Sequence, residues 1–322
     1  MKYRTLGKTG YEVSEIGFGV WQIGGAHWGS VDDNESIRAL NLAIDRGVNF
    51  IDTAQGYGNG KSERVIAEVL KDRKERVYVA TKILPLTGHP NPYHTWQDSF
   101  PEKYLRENIH QRLKMLSTDR IDILLLHSWS RAWNDDPKPL EILQDLKKEG
   151  LVENIGISVP PNDQNSVVEL IKNDRLDVVE FIYNIFNQEA AAELLPASKK
   201  HAVGTIIRVP LEEGALTGKY TKDTTFPKGD FRHIYFGGDR MERIVKRAEK
   251  LKEDLTDTGL SMVHASLLYI LAQDAVGTVI PGMRNEKYVT DNTSVSDMKP
   301  LANDTIQRLK EHNWVRTTWV NE

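Results

Sequence analysis

The run Val77-Tyr78-Val79-Ala80-Thr81-Lys82 is short, β-branched and apolar up to a terminal lysine. It reads as a buried strand with a polar end. Residues 101–116, which follow it, carry apolar side chains at helical spacing, and the next apolar run, 121–127, closes on Leu124-Leu125-Leu126-His127. Strand, amphipathic helix, strand is the pattern of a parallel βαβ unit. Working outward, runs at 16–20, 49–53, 154–158, 177–183, 204–209 and 277–280 bring the strands to eight. Segments 34–46, 138–149, 165–173 and 261–272 read as helices between them. Eight such alternations predict a closed (β/α)8 TIM barrel rather than an open doubly wound sheet. Residues 1–322 read as a single domain, with no linker, low-complexity tract or repeat. Two further features complete the expectation. Residues 3–6 and 13–14 around Lys8-Thr9-Gly10 predict a hairpin that plugs the barrel bottom. A Gly/Lys/Thr-rich insertion over 211–239 follows the seventh strand and should overhang the active face.

Composition narrows the function. The chain of 322 residues is 39% hydrophobic and 27% charged, with a formal charge of −4. That balance gives no general attraction to nucleic acid or anionic membrane. The absence of cysteine excludes disulfides, thiolate metal sites and cysteine nucleophiles. No apolar stretch approaches a bilayer span and the start carries no signal-peptide pattern, which predicts a cytoplasmic protein. An oligomer remains open.

The chemistry collects at the C-terminal ends of strands, where barrel enzymes keep their reactive groups. Asp52 closes the second strand, Lys82 the third and His127 the fourth, and Tyr57 follows Asp52 on a glycine-flanked loop, Gly56-Tyr57-Gly58. The ammonium of Lys82 should lower the pKa of the Tyr57 phenol, and Asp52 should keep that lysine charged and oriented. His127 could hydrogen-bond a carbonyl oxygen while Tyr57 passes the proton. Asn59-Gly60-Lys61-Ser62-Glu63 lacks the phosphate-loop pattern, and Ser62 reads better as the N-cap of a helix over 63–70.

Ile51-Asp52-Thr53-Ala54 with Tyr57-Gly58, Ser62-Glu63, Thr81-Lys82 and Leu126-His127 resembles the aldo-keto reductase family. The likeness extends from Leu6-Gly7-Lys8-Thr9-Gly10 through Gly214-Ala215-Leu216-Thr217-Gly218-Lys219-Tyr220 to Val279-Ile280-Pro281-Gly282. The resemblance implies a nicotinamide-dependent oxidoreductase acting on a carbonyl or alcohol, with Asp52, Tyr57, Lys82 and His127 as a catalytic tetrad and Tyr57 as proton donor. It places the adenosine end of the cofactor after the eighth strand, on Gly282, Arg284, Tyr288 and Asn292. Arg284 is the basic candidate for a 2′-phosphate, so NADP(H) is favoured over NAD(H). The nicotinamide end falls to Ser158, Glu180, Arg208 and Leu211. There the sequence departs from the family: Val159 stands where an asparagine is usual, Glu180 where a glutamine is, and Arg208 where many members stack an aromatic ring.

For the substrate, Trp21 and Trp129 are placed at the mouth, with Gln22, His27, Ser128, Ser130 and Arg131 as polar company and Trp314 and Trp319 in the tail. The mixture suits a small carbonyl or sugar-like substrate. Two other readings stand beside a reductase. One is a non-enzymatic nicotinamide-binding sensor, like the potassium-channel β subunits related to the family. The other is a Schiff-base enzyme using Lys82, against which Asp52 argues because the amine would have to be neutral. His89 and His94 lack carboxylate partners for a metal site, and no metal is expected.

Overall fold

A computed structural model describes residues 1–25, 28–29, 31–88 and 93–314. The N-terminal hairpin forms from β1 (Tyr3–Thr5) and β2 (Glu12–Ser14), joined through the 3-10 turn Gly7–Thr9. Eight strands then follow in parallel: β3 (Phe18–Gly19), β4 (Phe50–Asp52), β5 (Tyr78–Ile83), β6 (Ile121–Leu126), β7 (Val152–Ser158), β8 (Val178–Ile182), β9 (Gly204–Arg208) and β10 (Thr278–Val279). Their order in the sheet is their order in the chain. Parallel bridges Ile16 to Val279 and Gly19 to Gly282 join its two edges, which nearly closes the (β/α)8 barrel. Every run expected to be a strand coincides with one, β5 extending one residue past Lys82 and β7 starting two residues before Asn154. The segment expected as one helix over 165–173 is split, a 3-10 turn at Gln164–Val167 leading into a short α-helix at Val168–Lys172.

Side-chain alternation along the strands fills the barrel. Phe50, Ala80, Ile123, Leu125, Val178, Ile206 and Ile280 meet inside it, and Leu6, Tyr11 and Val13 of the hairpin close that cluster from below. Leu6 is fully buried. It fits because β9 and the start of β10 present glycines: a Cβ on Gly204 would lie 2.8 Å from Leu6 Cγ, and one on Gly277 2.6 Å from its Cδ1. Leu6→Ala should therefore leave a cavity that the barrel floor cannot refill. The expected loss is about 2–5 kcal/mol in a denaturant titration. The larger apolar cluster lies between the barrel and its helices, which bring Leu40 and Ala43, Leu105 and Ile109, Leu143 and Leu146, and Leu267 and Ile270 against the strands' outer faces. Among the described residues no helix is long and apolar enough to cross a membrane.

Candidate active site

One step beyond the apolar layer, the barrel becomes polar. Phe50, Ala80, Leu125, Val178 and Ile206 point inward, so the residues two positions later share their face. Those residues are Asp52, Lys82, His127, Glu180 and Arg208. The sequence thus changes from hydrocarbon to charge in a single turn of the pleat, at the strands' C-terminal ends.

Lys82, with no exposed surface, is the hub. Its Nζ donates to Asp52 Oδ1 at 2.6 Å, to Asp52 Oδ2 at 2.5 Å and to the carbonyl of Thr53 at 3.0 Å. Glu180 Oε2 lies 3.1 Å away on the other side. Glu180 thus faces into the barrel, in the register the sequence suggests. Its Oε1 accepts the Ser158 hydroxyl at 2.9 Å and sits 3.7 Å from Arg208 Nε, while Arg208 Nη2 donates to the Val159 carbonyl at 2.9 Å. Asp52, Lys82, Glu180 and Arg208 form a row of alternating charge, its first three members almost wholly buried. Burial works to strip Lys82 of its proton, but the two carboxylates outweigh it and hold its pKa above the ordinary lysine value. Burial, with Glu180 opposite, raises Asp52 well above the usual carboxylate range. Burial pushes Glu180 the same way, yet Lys82 and Arg208 on either side of it prevail and lower it.

Tyr57 is held over this row by its loop. A Cβ on Gly24 would collide with the Tyr57 backbone at 2.6 Å, and Gly58, at φ 67°, faces the Gly24 carbonyl as closely, so both positions must be glycine. The helix Lys61–Leu70 starts earlier than the sequence suggests, with Gly60 in a left-handed conformation as its N-cap. Ser62 is therefore not the cap. Its hydroxyl instead reaches Thr53 Oγ1 at 2.8 Å and the Tyr57 carbonyl at 3.1 Å, tying the tyrosine loop to β4. Lys82 Nζ is 5.4 Å from the Tyr57 ring centre and the His127 ring 6.0 Å, edge-on. Lys82 acts on the phenol in the expected direction, but it does not set the net shift. Burial raises the phenol pKa, Lys82 and Arg208 lower it, Asp52 and Glu180 raise it, and the net shift is upward.

Trp21 stacks beside Tyr57 at 6.1 Å and meets Phe231 of the insertion at 5.1 Å. The insertion does overhang the mouth. It is latched by Glu212, which is wholly buried: Oε1 accepts from Tyr235 at 2.5 Å and Oε2 from Asn184, just beyond β8, at 2.9 Å. Neither Phe231 nor Glu212 was legible locally, although the Asp230 that caps the helix Phe231–Tyr235 marks where the insertion becomes ordered. Trp129 departs from expectation. At 1% exposure it packs edge-on against Trp133 at 5.3 Å and donates to Asn134 Oδ1, because the 3-10 turn Arg131–Trp133 folds the chain back over it. Ser130 caps that turn and Arg131 pairs with Asp163. Trp314 is buried and lies under Arg243 and Arg247. His27, His89 and Trp319 lie outside the described residues. Among the described residues no three His, Asp or Glu side chains are grouped to hold a metal ion.

After β10, Gly282 packs without a side chain against the Gln22 amide, where a Cβ would come within 2.8 Å. Arg284 is half-buried and close enough to Asp230 to lower that carboxyl's pKa, behind burial and the Arg232 contacts in effect. Asn285 caps the helix Glu286–Ser294, Tyr288 lies under the Lys219 ammonium at 4.8 Å, and Asn292 is buried on the same helix. After β9 the backbone is strained: Val209, Glu212 and Glu213 have φ of 54°, 51° and 53°, and Leu211 lies among them, half-buried. A β-branched residue in that region is an outlier of the kind that gathers at functional sites.

Comparison with known proteins places this geometry. Residues 15–313 match the family model described as "Aldo/keto reductase family". Aldo-keto reductase YhdN of Bacillus subtilis is 30% identical over 299 residues, covering 88% of this chain and 85% of the relative. The NADH-specific methylglyoxal reductase of Escherichia coli is 27% identical, covering 91% and 93%. Among solved structures, the holo form of aldo-keto reductase AKR11C1 from Bacillus halodurans superposes with a TM-score of 0.78 at 25% identity, over 98% of both chains.

Proposed function

The chain belongs to the aldo/keto reductase family of oxidoreductases, and on that premise we propose that it reduces a small carbonyl with a nicotinamide cofactor, Tyr57 giving the proton. The observation that carries this reading is the convergence of Asp52, Lys82, Tyr57 and His127 on one mouth of the barrel, from the ends of β4 and β5, the loop between them and the residue after β6. A reduced nicotinamide, when bound, supplies the hydride. The residues present fit such a group. Left-handed backbone at Val209, Glu212 and Glu213 brackets Leu211, and at Gly282 the backbone after β10 lies against the Gln22 amide with no side chain between. Arg284, Tyr288 and Asn292 follow on one loop and helix for the adenosine end. Ser158, Glu180 and Arg208 stand at the nicotinamide end.

The division of labour follows from charge. As hydride reaches the carbonyl carbon, negative charge grows on its oxygen. His127 donates a hydrogen bond to that oxygen, and the Tyr57 phenol transfers its proton to it. The Lys82 ammonium stabilises the phenolate left behind, and Asp52 holds Lys82 in place. Turnover then needs reprotonation of Tyr57, release of the alcohol and exchange of the oxidised nucleotide for a reduced one. Trp21 and Phe231 give the mouth an aromatic wall, while Gln22 and His127 offer hydrogen bonds, so the substrate class is a small polar carbonyl bearing further oxygens. The relative named for methylglyoxal reduction is consistent with that class.

The cofactor is NADP(H) in preference to NAD(H) because Arg284 presents a guanidinium ahead of the helix at Glu286–Ser294. The NADH-specific relative makes this a point to test. In fluorescence titrations Arg284→Ala should weaken NADPH by about tenfold or more, the worth of one charged hydrogen-bonding contact. NADH affinity should change by no more than about twofold. Equal losses for the two nucleotides would remove the 2′-phosphate role.

A further inference from the structure

The four ionisable side chains of this row are matched in number, two carboxyl groups and two cations. The match depends on Glu180 and Arg208 together. With a neutral residue at 180, Lys82 and Arg208 would share Asp52 alone; with a neutral residue at 208, Asp52 and Glu180 would share Lys82 alone. Either leaves an unbalanced charge in a site where Glu180 is 1% exposed and Lys82 not at all, and an unpaired buried charge is strongly unfavourable. The contacts are also built for the pair. Ser158, the register partner of Glu180 on β7, fixes its Oε1. The Val159 carbonyl fixes Arg208.

We propose that Glu180 and Arg208 act as one charge-matched pair of positioning residues that braces Lys82 from the side opposite Asp52 and keeps the mouth of the barrel electrically balanced, so that no surplus charge there biases the protein toward the oxidised or the reduced nicotinamide. This rests on the nicotinamide-dependent reading above. The oxidised ring carries a positive charge that the reduced ring lacks. Removing Glu180 leaves a surplus cation and disfavours the oxidised form; removing Arg208 leaves a surplus anion and favours it. Tyr57 feels the same balance, with Lys82 from β5, Asp52 from β4, Glu180 from β8, Arg208 from β9 and His127 beyond β6 all facing it. A surplus cation therefore moves the alkaline limb of kcat/KM to lower pH, and a surplus anion moves it higher.

The test is a cycle of E180Q, R208M and the double variant, read in two ways that need no turnover. The first is the ratio of dissociation constants for NADP+ and NADPH. It should rise about tenfold in E180Q, fall about tenfold in R208M and return to within about threefold of the parent in the double variant, since one unit charge in a partly buried site is worth about that factor. The second is the thermal midpoint of the cofactor-free protein. Each single variant should lose about 5 °C or more and the double variant should recover most of it. Ratios that stay put or move in the same direction overturn the link between this balance and nicotinamide preference. Midpoint losses that simply add in the double variant overturn the pairing. A single variant that fails to fold while the double variant folds supports the pairing. A parent protein that binds neither nucleotide removes that link along with the reductase reading, and the midpoints still decide whether the pair exists.

Discussion

Tyr57→Phe should lower carbonyl reduction by about 10³-fold or more while leaving nucleotide affinity within about twofold. The phenylalanine keeps the ring that stacks on Trp21 and loses only the proton, and a positioned general acid contributes about 10²–10⁴-fold. The loss should appear in kcat and kcat/KM alike, because the proton moves only as charge develops in the transition state. Steady-state kinetics beside a fluorescence titration separate the two effects. Unchanged kcat would remove Tyr57 from the chemistry. A large loss of affinity would mean that the phenol holds the cofactor instead.

Lys82→Met should be more damaging, since it strikes both catalysis and folding. The ammonium is the counter-ion of Asp52 at 2.5 Å and of Glu180 at 3.1 Å. Its removal leaves two facing carboxylates in the barrel, at a stability loss of about 3–5 kcal/mol near neutral pH. Activity should fall about as far as in Tyr57→Phe, because the phenolate has lost its stabilising charge. The pH dependence carries a definite sign. Burial and Glu180 already raise Asp52 well above its unfolded value, and without Lys82 the rise is larger. The folded state then binds a proton more tightly than the unfolded state, so stability is lost as pH rises through the raised pKa and recovered as pH falls below it. Urea titrations of Lys82→Met at pH 8 and pH 5 should show the variant closer to the parent at pH 5. The opposite ordering would mean that the two carboxylates are not ionised partners of Lys82.

The parts of this site that were legible in the sequence are those fixed by period. Asp52, Lys82 and His127 each end an apolar run, so placing the strands placed the side chains; Glu180 followed from the same alternation. Tyr57 was legible because its flanking glycines announced a tight loop. What could not be read locally is distance across the barrel. Glu180 and Lys82 lie on β8 and β5, with two strands between them in the sheet, and only closure brings them to 3.1 Å. The net Tyr57 shift was not legible for the same reason, since one lysine was weighed without the second carboxylate or the burial. Trp129 was misplaced because proximity to His127 along the chain says nothing of the turn at Arg131–Trp133 that folds it inward. Ser62 was assigned to its own helix when its hydroxyl serves the neighbouring loop. The barrel architecture was recovered in full because eight strands of one kind repeat a single signal, and the hairpin because Leu6 and Val13 are apolar in an otherwise polar leader.

The central claim is that the mouth of this barrel binds a nicotinamide cofactor and passes its hydride to a carbonyl under the control of Tyr57. The most direct measurement is titration of the purified protein with NADPH and NADH, followed by consumption of the bound reduced nucleotide on addition of hydroxylated and α-oxo aldehydes and ketones, for the parent and Tyr57→Phe side by side. Saturable binding in both proteins, with consumption in the parent alone, is the predicted result. Failure of the parent to bind either nucleotide, or consumption at equal rates in both proteins, would contradict it.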